Sequence, residues 1–225
     1  MENVFNKFFN DYDDWYQTPV GQFVDQAETQ TLVKLLQPKA QQKILDVGCG
    51  TGNFTIKLAQ QDCQVTGVDI APNMLQQAQQ KLQQQQQLTA QLKIMNVEKL
   101  SFLDNSFNAA FSMAAFEFIN NIQSAYQEMW RVVQPGGHIV IGTIQKNGSW
   151  ANFYESPACH GTAYEFSHFW TAEQLISLDP KHFVQQKDCL FLPPNLPENN
   201  YNLKADQNAA QTTNIGGFTC LLFQK

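Results

Sequence analysis

What this chain of 225 residues has little of narrows its chemistry before any motif is considered. Basic residues are scarce: 14 lysines and arginines stand against 20 aspartates and glutamates, a formal net charge of −6. No run of Lys or Arg occurs. Nucleic-acid binding draws on basic patches that neutralise phosphates, so a nucleic-acid partner is not expected. No apolar run approaches the length of a membrane span, so none is expected. The opening MENVFNKFFNDYDDWYQ lacks a basic segment followed by an apolar one, so no signal peptide is expected. Cys49, Cys63, Cys159, Cys189 and Cys220 are odd in number, widely spaced and without a C-x-x-C pair. Reduced thiols in a cytoplasmic protein are the simple expectation. Cys159 and His160 stand side by side, but no ligand spacing supports zinc, so no metal is expected. Nothing in the pattern sets an oligomeric state.

What is there is enough apolar residue, 43%, to bury a core. The length suits one α/β domain with a modest lid. Phe5, Phe8, Phe9, Tyr12, Trp15 and Tyr16 recur at helical spacing. Thr18-Pro19 interrupts that pattern. A second helix is expected from about Phe23 to Leu36, stopped by Pro38. From Lys43 the texture alternates. KILDV, CQVTGVD, LKIMN, NAAFSM and GHIVIGTI read as strands. FTIKLAQ, APNMLQQAQQKLQQQQ and SAYQEMWRVV read as helices. Strands separated by helices imply a parallel sheet with right-handed crossovers. The glutamine tract at 83–87 reads as the solvated end of a helix, because Met74, Ala78 and Leu82 fall on one face. Beyond Ile144 the pattern loosens. TAEQLISL starts with a Thr cap and a Glu in capping-box fashion. FVQQKDCLFL and GFTCLLFQ read as strands, joined by a Pro- and Asn-rich stretch expected to be a long loop.

ILDVGCGTGNF, at 44–54, is a glycine loop that follows a strand and opens a helix. There, backbone N–H groups and the helix N-terminus can meet a ligand. A dinucleotide fingerprint, G-x-G-x-x-G, needs glycine at position 53, where this chain has Asn53. The spacing is instead G-x-G-x-G, with Asp46 two residues before the first glycine. A carboxylate there suits a ligand with an ammonium group better than one with a pyrophosphate.

LDVGCGTG resembles the first motif of class I S-adenosylmethionine (SAM)-dependent methyltransferases. VTGVDIAPNML, NVEKLSFLDNSFNAAFSMAAFEFI and EMWRVVQPGGHIVI resemble the motifs that follow it in that family. The resemblance covers residues 41–144 and is nearest to small-molecule enzymes related to ubiquinone/menaquinone biosynthesis. YDDWYQTPVGQ is similar to their N-terminal segment.

The resemblance implies a Rossmann-like, doubly wound α/β fold. Its sheet has seven mostly parallel strands, the last antiparallel, with helices on both faces. It implies a helical lid at 1–40 and a methyltransferase domain at 41–225. Residues 146–182 are expected to cover the acceptor. SAM is the implied cofactor and S-adenosylhomocysteine (SAH) the product. Asp46 and Gly48 are expected by the methionine moiety and Asp69 on the ribose hydroxyls, with Cys49, Gly50 and Gly52 also binding the cofactor. Ile70 and Met74 are expected against the adenine, with Asn96, Val97 and Glu98 at its edge. Ser112, Met113 and Ala114 are expected to border the methionine end, with Tyr16 and Tyr12 as lid residues. Asn96 and Asn108 stand where many relatives have Asp; Asn96 keeps an acceptor oxygen, and Asn108 is expected to be structural.

Trp150, Tyr154, His160, Tyr164 and His168 are expected to line the pocket of a small-molecule acceptor, because open α/β sheets bind ligands at their strands' carboxyl ends. Tyr16 and His160 are the first candidates for a catalytic base. Glu117 can point into the cleft or out to solvent. A motif of the [DN]-P-P-[YFW] kind is missing, which disfavours methylation of DNA bases. Two alternatives remain: a SAM-binding protein without methyl transfer, and an NAD(P)-dependent oxidoreductase.

Overall fold

The computed structural model describes Phe5, residues 12–85, Leu88 and residues 90–225. Its strands are β1 (Lys43–Val47), β2 (Gln64–Asp69), β3 (Ala90–Ile94), β4 (Phe107–Met113), β5 (Val133–Ile144), β6 (Phe183–Cys189) and β7 (Phe218–Gln224). They form one sheet in the order β3-β2-β1-β4-β5-β7-β6. β1 to β5 pair in parallel, and β7 runs antiparallel to both β5 and β6. This is the doubly wound sheet with a reversed last strand that the family resemblance implies. The chain winds outward from β1 to β3, then returns to the other side of β1 as β4. The crevice outside the carboxyl ends of β1 and β4 is therefore the switch point where such sheets take ligands.

Alternation along the strands feeds two cores. Ile44, Ala109, Phe111 and Val140 point to one face, and Leu45, Ala110, Ile139 and Ile141 to the other. This is the period of two that a sheet covered on both sides requires. The helices are α1 (Tyr12–Trp15), α2 (Pro19–Leu36), α3 (Asn53–Ala59), α4 (Pro72–Gln84), α5 (Ile122–Val132), α6 (Ser149–Tyr154), α7 (Ala172–Ile176) and α8 (Leu203–Ala209).

α2 is longer than its periodicity suggests. Thr18-Pro19 is its start rather than a break: the Thr18 hydroxyl accepts from the Gly21 N–H at 3.1 Å, and Pro19 occupies the first helical position. The helix buries Phe23, Val24, Leu32, Leu35 and Leu36. Each such side chain contributes roughly 1.5–3 kcal/mol over exposure, which makes α2 a layer of the core. Within 1–40, residues 19–36 are thus packed into the core.

Other differences are local. The expected long loop before β7 contains α8, capped by Asn202, whose side chain accepts from the Ala205 N–H at 2.9 Å. Three nearby prolines, Pro193, Pro194 and Pro197, hide that helix in the composition. β3 starts two residues before LKIMN. The capping box of α7 is closed by Thr171 and Gln174, not by Glu173. Asn108 is structural as expected, its side-chain oxygen accepting from the Lys43 N–H at 2.8 Å. Phe8, Phe9, Gln86 and Gln87 lie outside the described residues. Among the described residues no helix is long and apolar enough to cross a membrane.

Candidate active site

The glycine loop joins β1 to α3. Gly48, Gly50 and Gly52 have φ of +73°, +52° and +78°, in the left-handed region. The loop is tied to β2: the N–H groups of Gly48 and Cys49 both donate to the Val68 carbonyl, at 2.8 and 3.0 Å. A Cβ on Gly48 would lie 2.5 Å from the Cβ of Ala115, so the chain leaving β4 presses directly on the loop. Gly67 on β2 gives the same service from below, where a Cβ would meet the Cys49 sulfur at 2.8 Å. The loop motif alone gave no sign of that second close approach.

Asp69 ends β2 and holds the turn. One carboxylate oxygen accepts from the Gly50 N–H and the other from the Ala71 N–H, each at 2.8 Å. Burial raises its pKa, and those N–H groups oppose the rise. Asp46 is buried beneath the loop, where it accepts from the Thr55 hydroxyl at 2.6 Å. Burial pushes it up to about 7 against the Thr55 hydrogen bond. The Cys49 thiol is likewise held well above its ordinary value by burial, and so stays neutral.

The adenine-side candidates separate by exposure. Ile70 is 52% exposed and offers apolar surface, whereas Met74 is 2% exposed and packs inward. Val97 is buried. The Asn96 side-chain oxygen is already occupied by the Glu98 N–H at 2.9 Å. Glu98 accepts from the Asn121 N–H at 3.0 Å, fastening this loop to the start of α5. At the end of β4, Met113 is buried and the Ser112 hydroxyl has no partner. Ala114 takes φ +50°, unusual for a residue with a Cβ.

A cavity of about 350 Å³ opens beside Ala114 at the carboxyl ends of β4 and β5. Its rings are Phe5, Tyr12, Trp15, Tyr16, Phe118, Trp150, Tyr154 and Tyr164. Tyr154 and Tyr164 stack with centroids 3.7 Å apart, and the Tyr12 and Tyr16 hydroxyls are 3.4 Å apart. Glu28 of α2 and Cys159 also face it. His160 and His168 do not line it. Both are exposed, and His168 sits edge-on to Trp170. Cys159 ends a short 3-10 turn, Pro157–Cys159, and is buried, whereas His160 caps that turn and is exposed. Burial pushes Tyr12 up to about 12 and Tyr16 well above 10, so neither phenol is a base at neutral pH. Glu117 is buried, accepting from the Ile144 N–H at 2.6 Å and the Thr143 hydroxyl at 2.8 Å. Its second oxygen has no partner, and burial pushes the group up to about 7.

A latch joins the cavity wall to the loop. Lys81 of α4 donates to Asp13 of α1 (2.9 Å), to Thr51 (3.0 Å) and to Asn53 (2.6 Å). The Thr51 hydroxyl also donates to Asp13. These residues are up to 68 positions apart, so no local pattern could pair them.

Residues 45–141 match the family model described as "Methyltransferase domain". The chain is 33% identical over 130 residues to the ubiquinone/menaquinone biosynthesis C-methyltransferase of Zymomonas mobilis, covering 57% of this chain and 54% of that one. It spans about half the length of the first such curated relatives. Among solved structures, it resembles a SAM-dependent methyltransferase of Thermotoga maritima, described as a possible histamine N-methyltransferase. The TM-score is 0.75 at 23% identity, over the whole of both chains. It also resembles the [4+2]-cyclase SpnF, with a TM-score of 0.70 at 19% identity, covering 91% of this chain and 82% of that one. Motif order, sheet topology and these likenesses agree: residues 45–141 match a methyltransferase domain, and the whole chain is similar in fold to SAM-dependent methyltransferases.

Proposed function

We propose that this protein transfers the methyl group of SAM to a small-molecule acceptor held in the aromatic cavity. One observation carries the proposal. Ala114 lines the cavity, and its neighbour Ala115 sits against Gly48 of the loop. Cofactor loop and acceptor space therefore meet at one strand end. SAM would lie along residues 46–52 with its ribose at Asp69 and its adenine against Ile70. Cys49, Val97, Met113, Ala114 and Tyr16 would border it. Met74, Asn96 and Glu98 would support that wall through packing and backbone hydrogen bonds. The sulfonium is a good leaving group, so the protein's task is to align the acceptor's lone pair with the methyl carbon. Orientation of that kind is worth roughly 7–11 kcal/mol.

In this proposal 41–225 is the catalytic unit and 146–182 covers the acceptor. The lid of 1–40 narrows to the part before α2. The five unpaired thiols fit a reducing compartment such as the cytoplasm.

Calorimetric titration with SAM, SAH and NAD tests cofactor choice. Binding of SAM and SAH without NAD is expected; NAD binding with no SAM response would overturn the proposal. A labelled-methyl screen over cell metabolites then tests transfer. The fold also occurs in a cyclase, so a protein that binds SAM yet labels nothing would be a SAM-binding protein without methyl transfer.

A further inference from the structure

We propose that the acceptor carries a positive charge, as a small organic amine or ammonium compound, and that Glu28 selects it. The inference rests on the methyl-transfer proposal for the reaction, but not for the cation's binding. Four carboxyls are buried among the described residues: Glu28, Asp46, Glu117 and Asp206. Asp46 has the Thr55 hydroxyl, Glu117 has Thr143 and Ile144, and Asp206 has the Leu192 N–H. Glu28 is 4% exposed and makes no hydrogen bond or ion pair among the described residues. Lys57, the cation nearest in charge to it, is held by Asp25 and Thr29 instead.

An unpaired charge kept from water costs several kcal/mol, so a fold keeps such a carboxyl neutral or supplies it with a partner. Glu28 faces the cavity, and a ligand there can be that partner. The walls favour the same sign of charge. Tyrosine and tryptophan present electron-rich faces that attract cations. No Lys, Arg or His lines the cavity among the described residues, so nothing there would hold an anion. The carboxyl sits on α2, a core helix, and is therefore a fixed reference for the ligand. The ammonium would anchor the molecule between Glu28 and the rings, leaving another atom free to reach the methyl group at the Ala114 end.

Trp15 and Trp150 line the cavity, so their fluorescence reports occupancy. The probes are phenethylamine, its uncharged isostere 2-phenylethanol and the anion 3-phenylpropanoate, each titrated with and without saturating SAH. The amine is expected to bind at least about tenfold more tightly than the alcohol, and the acid not at all. Glu28→Gln should erase the amine's advantage and leave alcohol and SAH affinities within about twofold. The proposal is overturned if wild-type protein binds the alcohol as tightly as the amine, or shows no amine binding. It is equally overturned if Glu28→Gln keeps the preference, or if it weakens SAH about tenfold, which would assign Glu28 to the cofactor. The wild-type comparison decides the matter even if the variant fails to fold. Loss of SAH binding in wild type, with amine selectivity intact, would sink methyl transfer and leave the cation site standing.

Discussion

The two sides of the cleft are built by opposite means. The cofactor side is made of backbone. Positive-φ glycines at 48, 50 and 52, N–H groups and one carboxylate, Asp69, come from a stretch of 22 positions between Gly48 and Asp69. The proposed acceptor side is made of side chains, contributed mainly by Phe5, residues 12–16, α2, α6 and the 159–164 turn. A backbone site is fixed by conformations that few residues adopt, so it tolerates little. A side-chain cavity holds its shape through many rings, each replaceable at modest cost. Substitutions on the two sides should therefore differ in size and in kind.

Gly48→Ala should have the largest effect. It forces an L residue to φ +73° and sets a Cβ 2.5 Å from that of Ala115. Left-handed strain and overpacking together amount to about 2–5 kcal/mol. Thermal melts should show the destabilisation, and calorimetry should show SAH binding lost. Normal SAH affinity in the alanine variant would break the contrast between the two sides. Asp69→Ala comes next, because it strands the N–H groups of Gly50 and Ala71. Such donors cost about 1–3 kcal/mol, so SAH affinity should fall roughly 100-fold. An effect under about threefold would remove Asp69 from the site.

The same contrast explains what could be read beforehand. The cofactor side was legible because its constraint acts on consecutive residues: only glycine suits these turns, and Asp69 must follow a strand of fixed length. The parallel α/β pattern followed from alternating strands and helices and the reversed last strand from the family likeness, whereas the strand order came only with the structure. Glu28 was not legible. In sequence it is one polar residue on an apolar helical face, and only the packing of α2 shows that it faces a void. His160 and His168 were attractive for their chemistry, yet side-chain direction in an irregular segment is set by tertiary contacts. The same holds for Asp13 and Lys81, which are neighbours only after folding.

Glu117→Gln sets the two sides against each other through pH. Burial pushes Glu117 from 4.5 to about 7. The folded protein then binds a proton that the unfolded chain releases between about pH 4.5 and 7. The associated stability is fully present below pH 4.5, falls as pH rises toward 7, and is absent above it. At 1.36 kcal/mol per pKa unit the swing is at most about 3 kcal/mol. The variant should be less sensitive to pH and more stable than wild type at pH 8, as judged by urea midpoints at pH 5 and 8. Asp46 lies on the cofactor side, is pushed up to about 7, and has the same sign. Asp46→Asn should flatten the profile in the same way, but it alone should also weaken SAH. Equal SAH affinity in both variants would contradict the division.

The smallest effect should come from the contact that crosses the division. Lys81 ties Asp13, on the helix that lends Tyr12 and Trp15 to the cavity wall, to Thr51 and Asn53 of the loop. The pair is partly exposed, with side chains 26% and 29% accessible, so its worth is about 1 kcal/mol or less. Lys81→Met keeps the length of the stem and removes the charge. If α1 closes over both ligands as the proposed lid, the variant should weaken SAH and the cavity ligand alike, by about twofold to fivefold, mainly through faster dissociation. High salt should shrink the difference between variant and wild type, since screening weakens the same contact in the native protein. A change confined to one ligand would show that the two sides close independently, and that the latch belongs to only one of them.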